Sequence, residues 1–159
     1  MILSQQAIDE KWMQHALTLA ERAREQGEVP VGALIIKDDE VIAEAWNQPI
    51  THHDPSAHAE IMALRLAGQS EQNYRFPEAT LYVTLEPCIM CAGAMIHARV
   101  GRIVFGAYDP KTGAAGSVFD IFSDERHNHK IVVSGGILAE PCGDILRAFF
   151  RERRKKRNR

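Results

Sequence analysis

Thr84-Leu85-Glu86-Pro87-Cys88-Ile89-Met90-Cys91-Ala92-Gly93-Ala94 decides how the chain folds. Residues 80–85, rich in β-branched and apolar types, predict a strand, and Glu86-Pro87 ends it. The small residues of 88–98 then predict a short helix, so Cys88 and Cys91 sit at a strand-to-helix turn. Downstream, 102–106 reads as a strand and 131–134 as another. The intervening 107–130 has few core residues and two glycines and is expected as a long surface connection. A last helix is expected over 144–154, with Ile145, Leu146, Phe149 and Phe150 as its apolar face. Upstream, Ile8, Trp12, Ala16, Leu19 and Ala23 recur at helical spacing, and Gly27 with Pro30 stops that helix. Residues 31–37 and 41–46 make two strands joined at Asp38-Asp39-Glu40, a hairpin. Residues 47–57, with Pro49, Pro55 and the His52-His53 pair, read as a loop. Asp54 and Ser56 are candidate caps for a helix over 58–66 closing at Gly68. Alternating strands and helices predict a layered α/β sheet with helices on its faces, built as one domain over 1–159.

The chain has 159 residues, 45% hydrophobic and 25% charged, which suits a globular protein with a real core. There is no internal repeat and no low-complexity stretch. Met1-Ile2-Leu3-Ser4-Gln5 lacks the basic region and apolar core of a signal peptide. No apolar run approaches the ~20 residues that span a bilayer, so no membrane association is expected. Three cysteines, two of them in a C-x-x-C, argue against a disulfide framework and for a reducing cytoplasm in which thiolates stay free. The net charge of −2 conceals a basic tail: Arg151-Glu152-Arg153-Arg154-Lys155-Lys156-Arg157-Asn158-Arg159 sets seven basic residues against one acidic one. Such a tail on an acidic body points to an anionic partner, nucleic acid foremost, or to a solvated end that aids solubility.

His58-Ala59-Glu60 and the C-x-x-C carry the chemistry. One imidazole and two thiolates supply three zinc ligands and leave a tetrahedral position for water, as in a catalytic site. Glu60 is placed to move protons at that position. The expected helices put His58 and Cys88 near two N-termini, whose dipoles favour anionic groups. A redox C-x-x-C would not need His58, and a structural site would need a fourth Cys or His. Cys142 is too remote and reads as a small buried residue, while His97, six residues after Cys91, points away from it and reads as a packing or surface histidine.

The joint pattern H-x-E followed by P-C-x-x-C resembles the zinc-dependent nucleobase deaminases. The stretches His58-Ala59-Glu60-Ile61-Met62-Ala63, Thr84 through Ala94, and Asp109-Pro110-Lys111-Thr112-Gly113-Ala114-Ala115-Gly116-Ser117 are similar to the bacterial tRNA-specific adenosine deaminases. The likeness spans nearly the whole chain, weakening at both ends and around 122–130. It implies the cytidine-deaminase-like fold, a three-layer α/β/α arrangement with a five-stranded mixed sheet. It also implies one Zn2+ per subunit on His58, Cys88 and Cys91, with Glu60 as general acid/base. The implied reaction is hydrolytic deamination of adenosine to inosine at the wobble position of a tRNA anticodon loop, an arginine tRNA with anticodon ACG being the expected substrate.

By the same resemblance Asn47 grips the base, although an Asx turn would also explain it. Asp109 faces the RNA backbone, where a carboxylate can accept from a ribose 2′-OH, or simply makes an Asp-Pro turn. Arg151, Arg153 and Arg154 meet the RNA. His52 and His53 are further candidates, and of Phe149 and Phe150 at least one is expected in the core. Tyr108 departs from the family pattern beside Asp109. The family is homodimeric, acts in the cytoplasm and needs no organic cofactor. Two other functions fit the zinc set: deamination of a free base or nucleotide such as cytosine, guanine or cytidine, and a non-catalytic zinc-stabilised RNA-binding module.

Overall fold

Leu34, Ile35 and their neighbours in the run Gly-Ala-Leu-Ile-Ile are buried on both sides, the mark of a strand inside a sheet with both faces covered. The computed structural model describes residues 2–158; Met1 and Arg159, the last residue of the basic tail, lie outside the described residues. In chain order the elements are α1 (Gln5–Glu25), β1 (Gly32–Lys37), β2 (Glu40–Trp46), α2 (Pro49–His52), α3 (Ala59–Glu71), β3 (Thr80–Leu85), α4 (Ile89–His97), β4 (Arg102–Ala107), β5 (Val132–Ser134) and α5 (Ala139–Arg157). The strands form one sheet in the order β2-β1-β3-β4-β5. The β2-β1 and β1-β3 pairs are antiparallel, and β3-β4 and β4-β5 are parallel, which makes the sheet mixed.

Strand alternation sends the side chains to two separate cores. Ala33, Ile35, Leu81, Val83, Ile103 and Phe105 face α3 and α4 and meet Ala59, Ala63, Ala67, Cys91, Ala92 and Met95. Leu34, Ile36, Tyr82 and Val104 face the other way and meet Met13, Ala16 and Leu19 of α1 and Cys142 of α5. The result is the expected α/β/α layering. Ala59, Ala63 and Ala67 recur every four residues, so α3 presents a methyl stripe that lets it lie close on the sheet. On the opposite face α1 approaches β1 so tightly that a Cβ on Gly32 would come within 2.1 Å of the Ala16 carbonyl oxygen.

Several boundaries differ from the sequence reading, each for a local reason. The helix expected from Ile8 starts at Gln5, because Ser4 caps it: its Oγ accepts from the Ala7 N–H at 3.1 Å. Its end at Gly27 is as expected. Gly27 takes φ 79° while Glu28 N–H reaches Ala23 O and Gly27 N–H reaches Arg24 O, a Schellman closure. The helix expected to close at Gly68 runs on to Glu71. Asp54 and Ser56 do not cap it. Asp54 Oδ1 instead accepts from its near neighbour Ser56, at 2.9 Å from N and 2.7 Å from Oγ. The 47–57 loop contains the one-turn α2. The 107–130 connection is not wholly superficial, since Ala114 and Phe122 enter the α3/α4 core. The final helix begins at Ala139, five residues earlier than expected, because Pro141 falls in its first turn, where no N–H partner is required. It carries the basic tail as helix to Arg157. No helix among the described residues is long and apolar enough to cross a membrane.

Candidate active site

Two helix starts meet at one point. His58 is the N-cap of α3 and Cys88 the N-cap of α4, and both keep extended backbones (φ −67°, ψ 154° and φ −78°, ψ 175°). N-caps are usually Ser, Thr, Asp or Asn, whose side chains bond back to the helix. Here neither side chain does so. Both turn towards each other instead. His58 Nδ1 lies 3.6 Å from Cys88 Sγ and 3.5 Å from Cys91 Sγ. The three donor atoms all fall within 4.8 Å of one another. Zinc bonds of ~2.3 Å to sulfur and ~2.05 Å to nitrogen, in a tetrahedron, hold sulfur and nitrogen about 3.6 Å apart. The donor set therefore fits a zinc ion in both chemistry and spacing.

The electrostatics of the cluster agree. A hydrogen bond from the buried Cys91 thiol, and then the His58 imidazole, hold the Cys88 thiol down to about 4, against the resistance of its burial. Cys91 moves the opposite way: its bond to Cys88, burial, and the Glu60 carboxyl push it up. The Cys88 sulfur, with Glu60 nearby, raises His58. Two helix N-termini add positive potential at the same spot. Glu60, at the second position of α3, is only 4% exposed, and burial pushes its carboxyl up to about 7. His58, Glu60, Cys88 and Cys91 are thus brought together as the spacing predicted. Cys142 is buried against the α1 face of the sheet and His97 is exposed on α4, both away from this cluster.

Two further loops carry the remaining candidates. Asn47 follows β2 and is 8% exposed, its N–H donating to Val31 O at 3.0 Å. An Asx turn there would need the N–H of the residue two positions on, and Pro49 has none. His52 and His53 are exposed at the end of α2. Asp109 lies on the loop after β4, where its carboxylate accepts from Lys111 N–H (3.0 Å), Thr112 N–H (3.2 Å) and Thr112 Oγ1 (2.8 Å). The turn reading of Asp109 thus describes its local geometry.

Arg151 and Arg154 share a face of α5 and line a cleft of about 710 Å³ with Lys111, Arg147 and Phe150. Arg153 points elsewhere, over the Phe149 ring at 5.5 Å. Phe149 is buried and Phe150 is 40% exposed, so one of the pair is core and one is not. A second cleft of about 780 Å³ opens where the carboxyl ends of β3 and β4 meet α5, lined by Leu85, Tyr108, Asp109, Lys111, Arg147 and Phe150 among others. Ligands of α/β sheets favour such strand ends.

Sequence reasoning missed two buried carboxylates that hold these loops. Glu28 accepts from Ile50 N–H, Thr51 N–H and Thr51 Oγ1 at 3.2, 2.7 and 2.7 Å, fixing α2. Glu86 binds the loop after β4. A charged residue directly after an apolar strand was the available signal for Glu86; for Glu28 the sequence offered none.

The chain matches, over residues 6–107, the family described as the cytidine and deoxycytidylate deaminase zinc-binding region. It is 53% identical over 151 residues to the tRNA-specific adenosine deaminase of Haemophilus influenzae, covering 94% of this chain and 87% of that one. The corresponding enzyme of Bacillus subtilis is 47% identical over 149 residues, covering 94% and 92%. Among solved structures, the fold is similar to one from studies of A-to-I editing by tRNA:A34 deaminases at the wobble position of transfer RNA. That likeness has a TM-score of 0.81 at 42% identity, covering 84% of this chain and 97% of that one. It is also similar to the guanine deaminase of Bacillus subtilis, with a TM-score of 0.61 at 38% identity over 70% of each chain.

Proposed function

The chain belongs to the bacterial tRNA-specific adenosine deaminases of the cytidine and deoxycytidylate deaminase family, and on that premise we propose that it converts adenosine to inosine at the wobble position of a tRNA anticodon, with an arginine tRNA of anticodon ACG as substrate. The observation that carries the reading is the cluster of His58 Nδ1, Cys88 Sγ and Cys91 Sγ, with buried Glu60 two residues from the first of them. His58, Cys88 and Cys91 hold one zinc ion per subunit. When bound, zinc supplies a Lewis acid that makes water a competent nucleophile near neutral pH.

The chain's own residues do the rest. Glu60, its carboxyl near 7, takes a proton from the attacking water and delivers it to N1 of the adenine ring. Water replaces the 6-amino group, which leaves as ammonia. Asn47 holds the ring edge by hydrogen bonds. Asp109, already the acceptor for its own turn, retains lone pairs for a ribose 2′-OH. Arg151 and Arg154 take phosphates along the α5 cleft, and Arg153 does so from the neighbouring face. Residues 1–159 act as one deaminase domain, paired as a homodimer in the cytoplasm without an organic cofactor.

The test is to incubate zinc-loaded protein with unmodified arginine tRNA bearing an ACG anticodon and to score inosine, with free guanine, cytosine and cytidine in parallel. Inosine at the wobble position supports the proposal. Efficient turnover of a free base without tRNA editing would move the protein to the guanine-deaminase side of its neighbours. Zinc-bound protein that binds RNA but deaminates nothing would make it a binding module.

A further inference from the structure

Glu86 is 3% exposed and makes no contact that the proposed chemistry requires, yet four donors converge on its carboxylate. Asp109 N–H donates to Oε1 at 2.9 Å, Ala115 N–H and Ser117 N–H donate to Oε2 at 2.9 and 3.1 Å, and Ser117 Oγ donates to Oε1. All four come from the loop after β4. The backbone reinforces the join: Glu86 N–H donates to Ala107 O and Ala114 N–H donates to Pro87 O, both at 2.8 Å. Gly113 lies against the carboxylate so closely that a Cβ there would sit 2.4 Å from Cδ. The next residues on either side matter. Pro87 leads directly into Cys88, and the clamped loop carries Tyr108, Asp109, Lys111 and Thr112 into the 780 Å³ cleft facing α5.

We propose that Glu86 is a positioning residue: it fixes the loop 108–117 relative to the Cys88 turn and so sets how Asp109 and its neighbours stand to the deamination centre. The inference rests on the deaminase reading above. A carboxylate accepts all four donors; an amide of the same shape presents an N–H2 to at least one of them and leaves that donor unpaired.

Glu86→Gln tests this. The expected result is a folded protein with one zinc per chain, in which the amides of Asp109, Ala115 and Ser117 lose at least about tenfold of their hydrogen-exchange protection. KM for tRNA is expected to rise about 10- to 100-fold while kcat stays within a few-fold. Gly113→Ala, which pushes the loop away with the carboxylate intact, is expected to give the same split. Unchanged exchange and unchanged KM in the folded, zinc-loaded Glu86→Gln protein would overturn the proposal. A loss of activity that follows loss of zinc alone would also overturn it. Hydrogen exchange reads the loop whether or not the wild-type protein makes inosine, so failure of this inference and failure of the deaminase reading remain distinct.

Discussion

Glu60 combines a helix N-terminus with near-complete burial, and the two act in opposite directions on its charge. The N-terminus favours the carboxylate, whereas burial pushes the group up to about 7. Such a group can hold or release a proton near neutral pH, which is what a shuttle between water and a ring nitrogen requires. Glu60→Gln keeps the shape and removes the proton exchange. It is expected to leave metal content unchanged and to lower single-turnover inosine formation by about 10²- to 10⁴-fold; mass spectrometry of digested tRNA beside zinc analysis measures both. The cluster of His58, Glu60, Cys88 and Cys91 was legible in the sequence because a histidine and two cysteines that could hold a metal ion, with a carboxylate two residues from the first, leave a pattern of residue types and spacing. The partners of Glu28 and Glu86 were not, although a charge directly after an apolar strand marked Glu86 itself. These partners are mostly backbone N–H groups 22 to 31 residues away, and a backbone donor leaves no mark on residue identity.

α5 is the element in which local pattern and tertiary role diverge most. Of the apolar face read for it, Phe149 is buried, Ile145 and Leu146 are half-buried, and Phe150 is exposed. The basic residues continue the same helix instead of trailing as a tail. The helical period therefore sorts them: Arg151 and Arg154 fall together on the 710 Å³ cleft, and Arg153 lies over Phe149. This sorting depends on where Phe149 docks, which composition alone does not reveal. Arg151→Ala and Arg154→Ala are each expected to weaken tRNA binding and to reduce the slope of log K against log salt by about 1. Titrations at several salt concentrations read this directly. Arg153→Ala, which loses a ring contact as well as a charge, is expected to lower the melting temperature in addition.

At the scale of the whole molecule, an ion pair between buried Asp9 and half-buried Arg102 fastens α1 to the parallel side of the sheet. Arg102 donates to both Asp9 oxygens at 2.8 and 2.7 Å and to Ser134 Oγ at 3.0 Å, and Tyr82 O–H and Gln5 Nε2 also donate to Asp9. Burial pushes the Asp9 carboxyl up, but these bonds outweigh it and hold the group below 3.8. A carboxyl lowered in the folded state contributes stability above its unfolded value of ~3.9 and loses it as pH falls through the folded one. Asp9→Asn is therefore expected to cost about 2–3 kcal/mol at pH 7 and to shrink that difference as pH falls below ~3.9; urea unfolding across pH measures it. The layered class was legible from alternating strands and helices. The strand order β2-β1-β3-β4-β5 and the Asp9–Arg102 link, 93 residues apart, were not, since long-range pairing leaves no local period.

The account turns on a three-donor metal centre with a fourth position left to solvent, and X-ray absorption at the zinc edge on the purified protein tests it most directly. It predicts one zinc per chain with two sulfur neighbours at ~2.3 Å, one imidazole nitrogen at ~2.0–2.1 Å and one further oxygen that is not from the protein. Absence of zinc, a third sulfur or a second imidazole in the shell would contradict it.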